Sequence, residues 1–131
     1  MLFLLPVTLI RNNILSITIA AIIAALSFMS PGNINRINIL HLHNADKFIH
    51  ALMYFTLTYT VFFENRKHLT RLINYLYLAM IPLVFGISIE ILQPLLTKGR
   101  SKETADMLFN LAGILFAVVI RFLISRKRQT S

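Results

Sequence analysis

The sequence contains no cysteine and few charged residues, and both shortages restrict what the chain can be. Without cysteine it has no disulfide, no thiolate nucleophile and no thiolate metal ligand. It also has no phosphate-cradling glycine loop, no serine nucleophile elbow and no zinc-protease motif. We therefore predict no cofactor, no metal and no established catalytic motif.

Charged residues make up 14% of the 131 positions and hydrophobic residues 56%. An ordinary soluble domain is about one quarter charged. The hydrophobic excess is clustered in four runs, each long enough to cross a hydrocarbon core of about 30 Å. The sequence predicts an all-α, polytopic membrane protein, a single domain over 1–131 built as a four-helix antiparallel transmembrane bundle. The expected spans are about 12–29, 47–63, 72–92 and 106–124, followed by a disordered basic tail over 125–131.

The first run has a second interpretation, as the apolar part of a signal peptide. No clear small-x-small cleavage site precedes Ser30, and both interpretations place Pro31 outside.

Prolines and acidic residues suggest where the helices begin and end. Asp46 is suited to cap the second span, because its carboxylate can accept from free N–H groups of the first turn. Pro82 should kink the third span, and Pro94 after Gln93 should end or bend it.

The net charge of +8 comes from basic residues between and after the apolar runs. They form no basic helix face, so they indicate topology and anionic lipids better than nucleic acid. With four spans, the side of both termini carries Arg11, Arg66, Lys67, Arg71, Arg121, Arg126, Lys127 and Arg128, against Arg36, Lys47, Lys98, Arg100 and Lys102 on the other. The positive-inside rule then predicts that both termini are cytoplasmic.

Most polar side chains of the spans fall at the external level: Asp46, Lys47, His50, Glu90, Gln93, Arg100, Asp106 and Asn110. Helical spacing aligns Asp46, His50 and Tyr54, then Gly86, Glu90 and Gln93, then Asp106, Asn110, Gly113 and Ala117. Polar faces of spanning helices turn inward, because lipid offers them no hydrogen-bond partner. We predict a polar pocket that opens outward, with Gly86, Gly113 and Ala117 allowing close helix packing beneath it.

His50 has alternative roles. It can act as a general base or metal ligand oriented by Asp46, or as an interface histidine bonded to its neighbours. Tyr54 is favoured as a core aromatic residue with a satisfied hydroxyl.

The carboxylates also have alternative roles. Glu90 either moves a proton or binds a polar ligand, or it pairs with Lys47 or Arg100. Arg100 pairs with a carboxylate or meets a phosphate. Asp106 and Asn110 cap and cross-link the fourth helix or contact a ligand.

The sequence Asp46-Lys47-x-x-His50-x-x-x-Tyr54, then Glu90-x-x-Gln93, Arg100, Asp106, Asn110 and Gly113, resembles the VanZ-like family of small bacterial membrane proteins. The resemblance covers about 46–117. It implies a multi-pass protein of the bacterial inner membrane with a link to cell-envelope precursors or to drugs such as teicoplanin, and it implies no reaction. Ala117 replaces a frequent second glycine, and Pro94 is a further departure.

The favoured function is a non-enzymatic envelope protein that engages an anionic lipid or lipid-linked precursor. Arg100, Lys47 and His50 would contact the headgroup, and Glu90, Asp106 and Asn110 would hold them. One alternative is an intramembrane hydrolase or transferase with His50 or Glu90 as acid or base and Arg100 steadying the charge. The other is a structural subunit of a membrane complex whose protein partner the sequence does not specify.

Overall fold

The apolar runs of the sequence form helices, as their length and composition favour. The computed structural model describes residues 10–29, 45–97 and 104–129. The elements are α1 (Ile14–Ser27), α2 (Ala45–Glu64), a short 3₁₀ helix (Arg66–His68), α3 (Leu72–Leu96) and α4 (Thr104–Gln129). No strand occurs over these ranges, so the all-α prediction is confirmed for them. The predicted loops over 31–44 and 98–103 lie almost wholly outside the described residues.

Two of the helices, over Leu72–Leu96 and Thr104–Lys127, are long and apolar enough to cross a membrane. α1 is also apolar but has only 14 residues. Four membrane spans thus stay a prediction, whereas two helices with the required length and composition are observed.

α3 continues past the point where Pro94 was expected to end or bend it near Gln93. The helix reaches Leu96, and the carbonyl of Gln93 accepts a hydrogen bond of 2.8 Å from the Thr97 amide. A proline so close to the helix end removes only one of the few remaining backbone hydrogen bonds. The helix α3 therefore extends beyond the predicted span 72–92, and the position of that span in a membrane stays a prediction.

α4 continues through Gln129, so the prediction of a disordered tail from Ser125 was wrong over 125–129. Arginine, lysine and glutamine are good helix formers, and cations are favourable at a helix C-terminus. The Arg126 guanidinium also lies over the Phe122 ring, 5.9 Å from its centroid. These favourable local interactions keep residues 125–129 helical although this segment is no longer apolar.

The other helix starts differ slightly from the expected ones. α2 begins at Ala45, so Asp46 lies in its first turn instead of capping it. α4 begins at Thr104, and Asp106 likewise lies in its first turn. An acidic side chain there still interacts favourably with the helix dipole.

Aromatic contacts define how the helices run. Phe55 of α2 packs on Phe116 of α4, with 5.6 Å between ring centroids. Tyr75, near the start of α3, contacts Phe62 and Phe122 from the later parts of α2 and α4, at 5.4 and 5.8 Å. α2 and α4 therefore run in the same direction, and α3 runs opposite to both.

Gly113 brings the backbones of α2 and α4 into direct contact. A Cβ atom at this position would lie 2.1 Å from the carbonyl oxygen of Ala51 and 3.0 Å from the amide nitrogen of Phe55. Gly86 of α3 makes similar room, because a Cβ there would lie 2.8 Å from the Tyr54 ring. One turn beyond Gly113, Ala117 is fully buried. Small residues thus set the spacing of the three helices.

The outward surface of the helices is also apolar. Large hydrophobic side chains such as Phe48, Leu52, Tyr77, Leu95 and Leu108 are each more than 60% exposed. Many large apolar side chains exposed along the helices favour a surface that contacts lipid or another protein.

Candidate functional site

His50 is the centre of a polar cluster between the first turns of α2 and α4. Its side chain is 4% exposed, and its Nδ1 lies 3.1 Å from Oδ1 of Asn110. Because the amide oxygen of asparagine is an acceptor, Nδ1 carries the donated proton. In the neutral imidazole, Nε2 then presents its lone pair on the other side of the ring.

Two carboxylates face this Nε2 atom. Oδ1 of Asp46 and Oδ2 of Asp106 are each 3.9 Å from it. Asp46 lies one turn before His50 on α2, and Asp106 lies one turn before Asn110 on α4. Since α2 and α4 run side by side in one direction, the two pairs come together, and we name Asp46, His50, Asp106 and Asn110 the His50 cluster.

The cluster is closed on one side and open on the other. The side chains of His50 and Asp106 are 4% and 6% exposed, whereas that of Asp46 is 57% exposed. Access from the surroundings is therefore past Asp46. Lys47, the next residue of α2, is half-buried.

Glu90 and Tyr54 form a deeper polar pair between α3 and α2. Glu90 is 1% exposed and is close enough to Tyr54 to interact with it electrostatically. Tyr54 is also 1% exposed, and its hydroxyl makes no hydrogen bond within 10–29, 45–97 and 104–129. The predicted satisfied hydroxyl of Tyr54 is thus not found among these residues.

Gln93 contacts the end of α1 and is not part of the His50 cluster. It is 3% exposed, and its Nε2 donates a hydrogen bond of 3.0 Å to the carbonyl of Ser27. Gln93 therefore joins α3 to the end of α1. Arg100, the expected partner of Asp106 or Glu90, lies outside the described residues, so that pairing stays a prediction.

A cavity of about 300 Å³ lies between α3 and α4, next to the His50 cluster. Asn110 forms part of its wall, together with side chains such as Leu83, Ile87, Met107 and Ile114. Its lining is mostly apolar, so this cavity is not the polar pocket predicted from the sequence, and that pocket stays a prediction. Asn110 thus has the imidazole of His50 as a partner and borders an apolar space.

A second polar contact, at the other end of α2, was not anticipated. Glu64 accepts hydrogen bonds from the amides of Leu15 and Ser16, at 2.8 and 3.1 Å, and also from the Ser16 hydroxyl. The neighbouring Asn65 donates to Oδ1 of Asn13 at 2.7 Å. We name Asn13, Ser16, Glu64 and Asn65 the Glu64 latch, because together they fasten the start of α1 to the end of α2.

The His50 cluster can bind a proton or another cation, since an imidazole nitrogen and two carboxylates converge there. Comparisons of the chain with family models, with curated proteins and with solved structures found no match. Membership of the VanZ-like family stays a prediction that depends on the residues quoted above.

Proposed function

We propose that this chain is a four-helix antiparallel protein of the bacterial inner membrane, similar to VanZ-like proteins, with both termini in the cytoplasm. Its external end binds the phosphate-bearing headgroup of a lipid or lipid-linked envelope precursor. The observation that carries the proposal is the mostly apolar cavity beside Asn110, at one end of helices whose outward surface is apolar.

The exposure of the long helices supports a membrane location. In the most apolar 18-residue stretch of α3, and likewise of α4, 28% of the residues are buried. The core helix of a soluble protein is mostly buried. A soluble fold would leave this apolar surface in water at a cost of about 25 cal/mol per Å². Lipid around the helices removes that cost.

The threonines of α2 are compatible with lipid as well. The hydroxyls of Thr56, Thr58 and Thr60 donate to the carbonyls four residues earlier, at 2.8, 2.6 and 2.8 Å. Hydroxyls satisfied within their own helix need no water. α2 can therefore cross a membrane although it is less apolar than α3 and α4.

The cavity beside Asn110 supports a lipid as the ligand. Its apolar lining suits an acyl or prenyl chain, and the neighbouring cluster lies at the end where a headgroup would be. Lys47 is near this end, and Arg100 follows α3 in the sequence; cations of this kind attract phosphate.

The decisive experiment compares a polyprenyl phosphate with the matching polyprenyl alcohol, using the purified protein in nanodiscs. We expect the phosphate to bind at least about tenfold more tightly, which is about 1.4 kcal/mol. Met107→Trp should fill the cavity and weaken the binding of both lipids. The matched control is Leu123→Trp, on the exposed surface of the same helix. Equal affinity for phosphate and alcohol would contradict headgroup recognition, and an unchanged Met107→Trp variant would contradict binding in the cavity.

A second experiment addresses the drug-related part of the proposal. The protein is expressed in a Gram-positive host, and teicoplanin susceptibility is measured beside a Glu90→Gln variant. Lower susceptibility with the wild-type chain alone would support a resistance-like role. Unchanged susceptibility, with the protein present in the membrane, would remove drug resistance from the proposal.

A further inference from the structure

The Nε2 atom of His50 lies between two carboxylates. Nε2 presents a lone pair toward Asp46 and Asp106, and the separations of 3.9 Å are too long for hydrogen bonds. Nε2 makes no hydrogen bond within the ranges that the structure describes, although the histidine is 97% buried. A buried, unbonded nitrogen that points between two carboxylates indicates a position for a positive charge.

The distances are close to those of a metal site. One ligand atom each from Asp46, His50 and Asp106 lies within 4.8 Å of the others. Metal–ligand bonds of about 2.0–2.2 Å place two ligands of one tetrahedral ion roughly 3.4 Å apart. The cluster must therefore contract by about 0.5–1.4 Å to hold an ion at such bond lengths. The exposed side chain of Asp46 can rotate toward the ion, and the buried pair of His50 and Asp106 must close by about 0.5 Å.

Asn110 has the position of a residue that orients a metal ligand. A metal-bound histidine donates its other ring N–H to a nearby acceptor, which fixes both the tautomer and the ring orientation. Here Oδ1 of Asn110 is that acceptor, at 3.1 Å from Nδ1 of His50. The lone pair of Nε2 is thereby directed at the two aspartates.

We propose that Asp46, His50 and Asp106 bind one divalent first-row transition-metal ion, such as Zn²⁺ or Mn²⁺, with Asn110 as the positioning residue. An imidazole nitrogen with two carboxylates suits these ions better than Mg²⁺ or Ca²⁺, which prefer oxygen ligands alone. Three protein ligands leave a coordination position open. A phosphate oxygen of the headgroup fits that position, and this last part alone rests on the proposed function.

The test measures metal binding by the purified full chain without added lipid. The protein is stripped with a chelator and dialysed against Zn²⁺, Mn²⁺ or Mg²⁺, and the bound metal is measured by elemental analysis. We expect one Zn²⁺ or Mn²⁺ per chain and weaker binding of Mg²⁺. Asp46→Asn should lower the affinity at least about tenfold, and Asn110→Ala by about tenfold or more.

Two variants keep the test informative if a buried substitution prevents folding. Asp46→Asn changes an exposed side chain, so its fold should be intact. His68→Ala removes an exposed histidine at the opposite end of α2 and should leave binding unchanged. Absence of a bound ion in the wild type would overturn the proposal. Unchanged binding in Asp46→Asn would place the ion elsewhere and overturn the proposal.

The same preparation separates this inference from the proposed function. Polyprenyl phosphate binding is measured before and after chelation. Weaker binding after chelation would support a metal–phosphate contact. Unchanged lipid binding would contradict that contact and leave headgroup recognition standing, whereas metal binding without any lipid binding would support the ion site and contradict the proposed function.

Discussion

The Glu64 latch and the His50 cluster lie at opposite ends of α2, and each joins this helix to a neighbour. In the latch, both carboxylate oxygens of Glu64 accept hydrogen bonds from the first turn of α1. In the cluster, the imidazole and the two carboxylates approach to 3.9 Å without hydrogen bonds between them. Within the part of the chain that the structure describes, Asn110 is the one residue hydrogen-bonded to the ring.

The difference separates a structural role from a role in binding. A carboxylate whose oxygens are satisfied by backbone amides stabilises the helix ends and has little capacity left for a ligand. A buried nitrogen that faces two carboxylates without a hydrogen bond stabilises less, but it can receive a cation. Polar residues within an apolar protein are therefore distinguished by their contacts and not by their burial.

The largest expected effect comes from removing the close approach that holds the His50 cluster together. Gly113→Leu places side-chain atoms where the Ala51 carbonyl now lies, so we expect a loss of about 3 kcal/mol in the free energy of unfolding. The measurement is equilibrium unfolding in detergent micelles, with Ala112→Leu on the exposed side of α4 as the matched control. Slow hydrogen exchange at the Leu15 and Ser16 amides should persist, because the latch does not involve α4. Equal stability of the two variants would show that α2 and α4 do not meet at Gly113.

The next effect concerns the latch. Glu64→Ala leaves two amides and a hydroxyl of α1 without their acceptor, and we expect a loss of about 2 kcal/mol in unfolding free energy. Lys67→Ala, which removes an exposed charge nearby, should have little effect. Metal affinity at the His50 cluster should not change in either variant. A Glu64→Ala protein as stable as Lys67→Ala would assign the latch no structural role.

A smaller and more specific effect is expected when the asparagine of the latch, Asn65, is compared with that of the cluster, Asn110. Asn110→Ala removes one buried side-chain hydrogen bond and Asn65→Ala removes two half-buried ones, to Asn13 and to the Val61 carbonyl, so each should cost about 1 kcal/mol of stability. The stability change should thus be similar, whereas only Asn110→Ala should weaken Zn²⁺ binding, by about tenfold or more. Similar metal affinity in both variants would remove the distinction between latch and cluster.

The smallest expected effect on stability is that of Asp46→Asn. The side chain is 57% exposed, so the free energy of unfolding should change by less than about 0.5 kcal/mol. The measurement is again unfolding in micelles, paired with dialysis against Zn²⁺. A large loss of stability with unchanged ion affinity would reverse the assignment and make Asp46 a structural residue.

The apolar runs predicted the helices well, but their ends were less predictable. The expected spans 47–63 and 72–92 correspond to α2 (Ala45–Glu64) and α3 (Leu72–Leu96). Hydrophobicity changes gradually at a helix end, whereas the end itself depends on single contacts. The hydrogen bond from Thr97 to Gln93 and the contact of Arg126 with Phe122 are examples.

Spacing within a helix predicts which residues share a face, but it does not predict which faces meet. Asp46 and His50 share a face of α2, as Asp106 and Asn110 share one of α4. His50 and Asn110 are 60 residues apart in the chain, and their contact depends on the packing at Gly113. For that reason the sequence did not show that Asp106, on another helix, could join Asp46 and His50 as a third metal ligand.

The latch could not be predicted from residue types. Glu64 binds chiefly to backbone amides, which every residue except proline carries, and its partners are 48 and 49 positions away. The only available signal was the start of an apolar helix, where free amides need acceptors.

The continuation of α4 through its basic end has a consequence for hydrophobic mismatch. The helix has 26 residues. At about 1.5 Å per residue it is roughly 39 Å long, against a hydrocarbon core of about 30 Å. In the membrane arrangement we propose, its last turns extend to the lipid phosphates, where the exposed Arg126 and Lys127 act as anchors. A thinner or thicker bilayer would then change the tilt of α4, and through Gly113 the tilt of α2 with it.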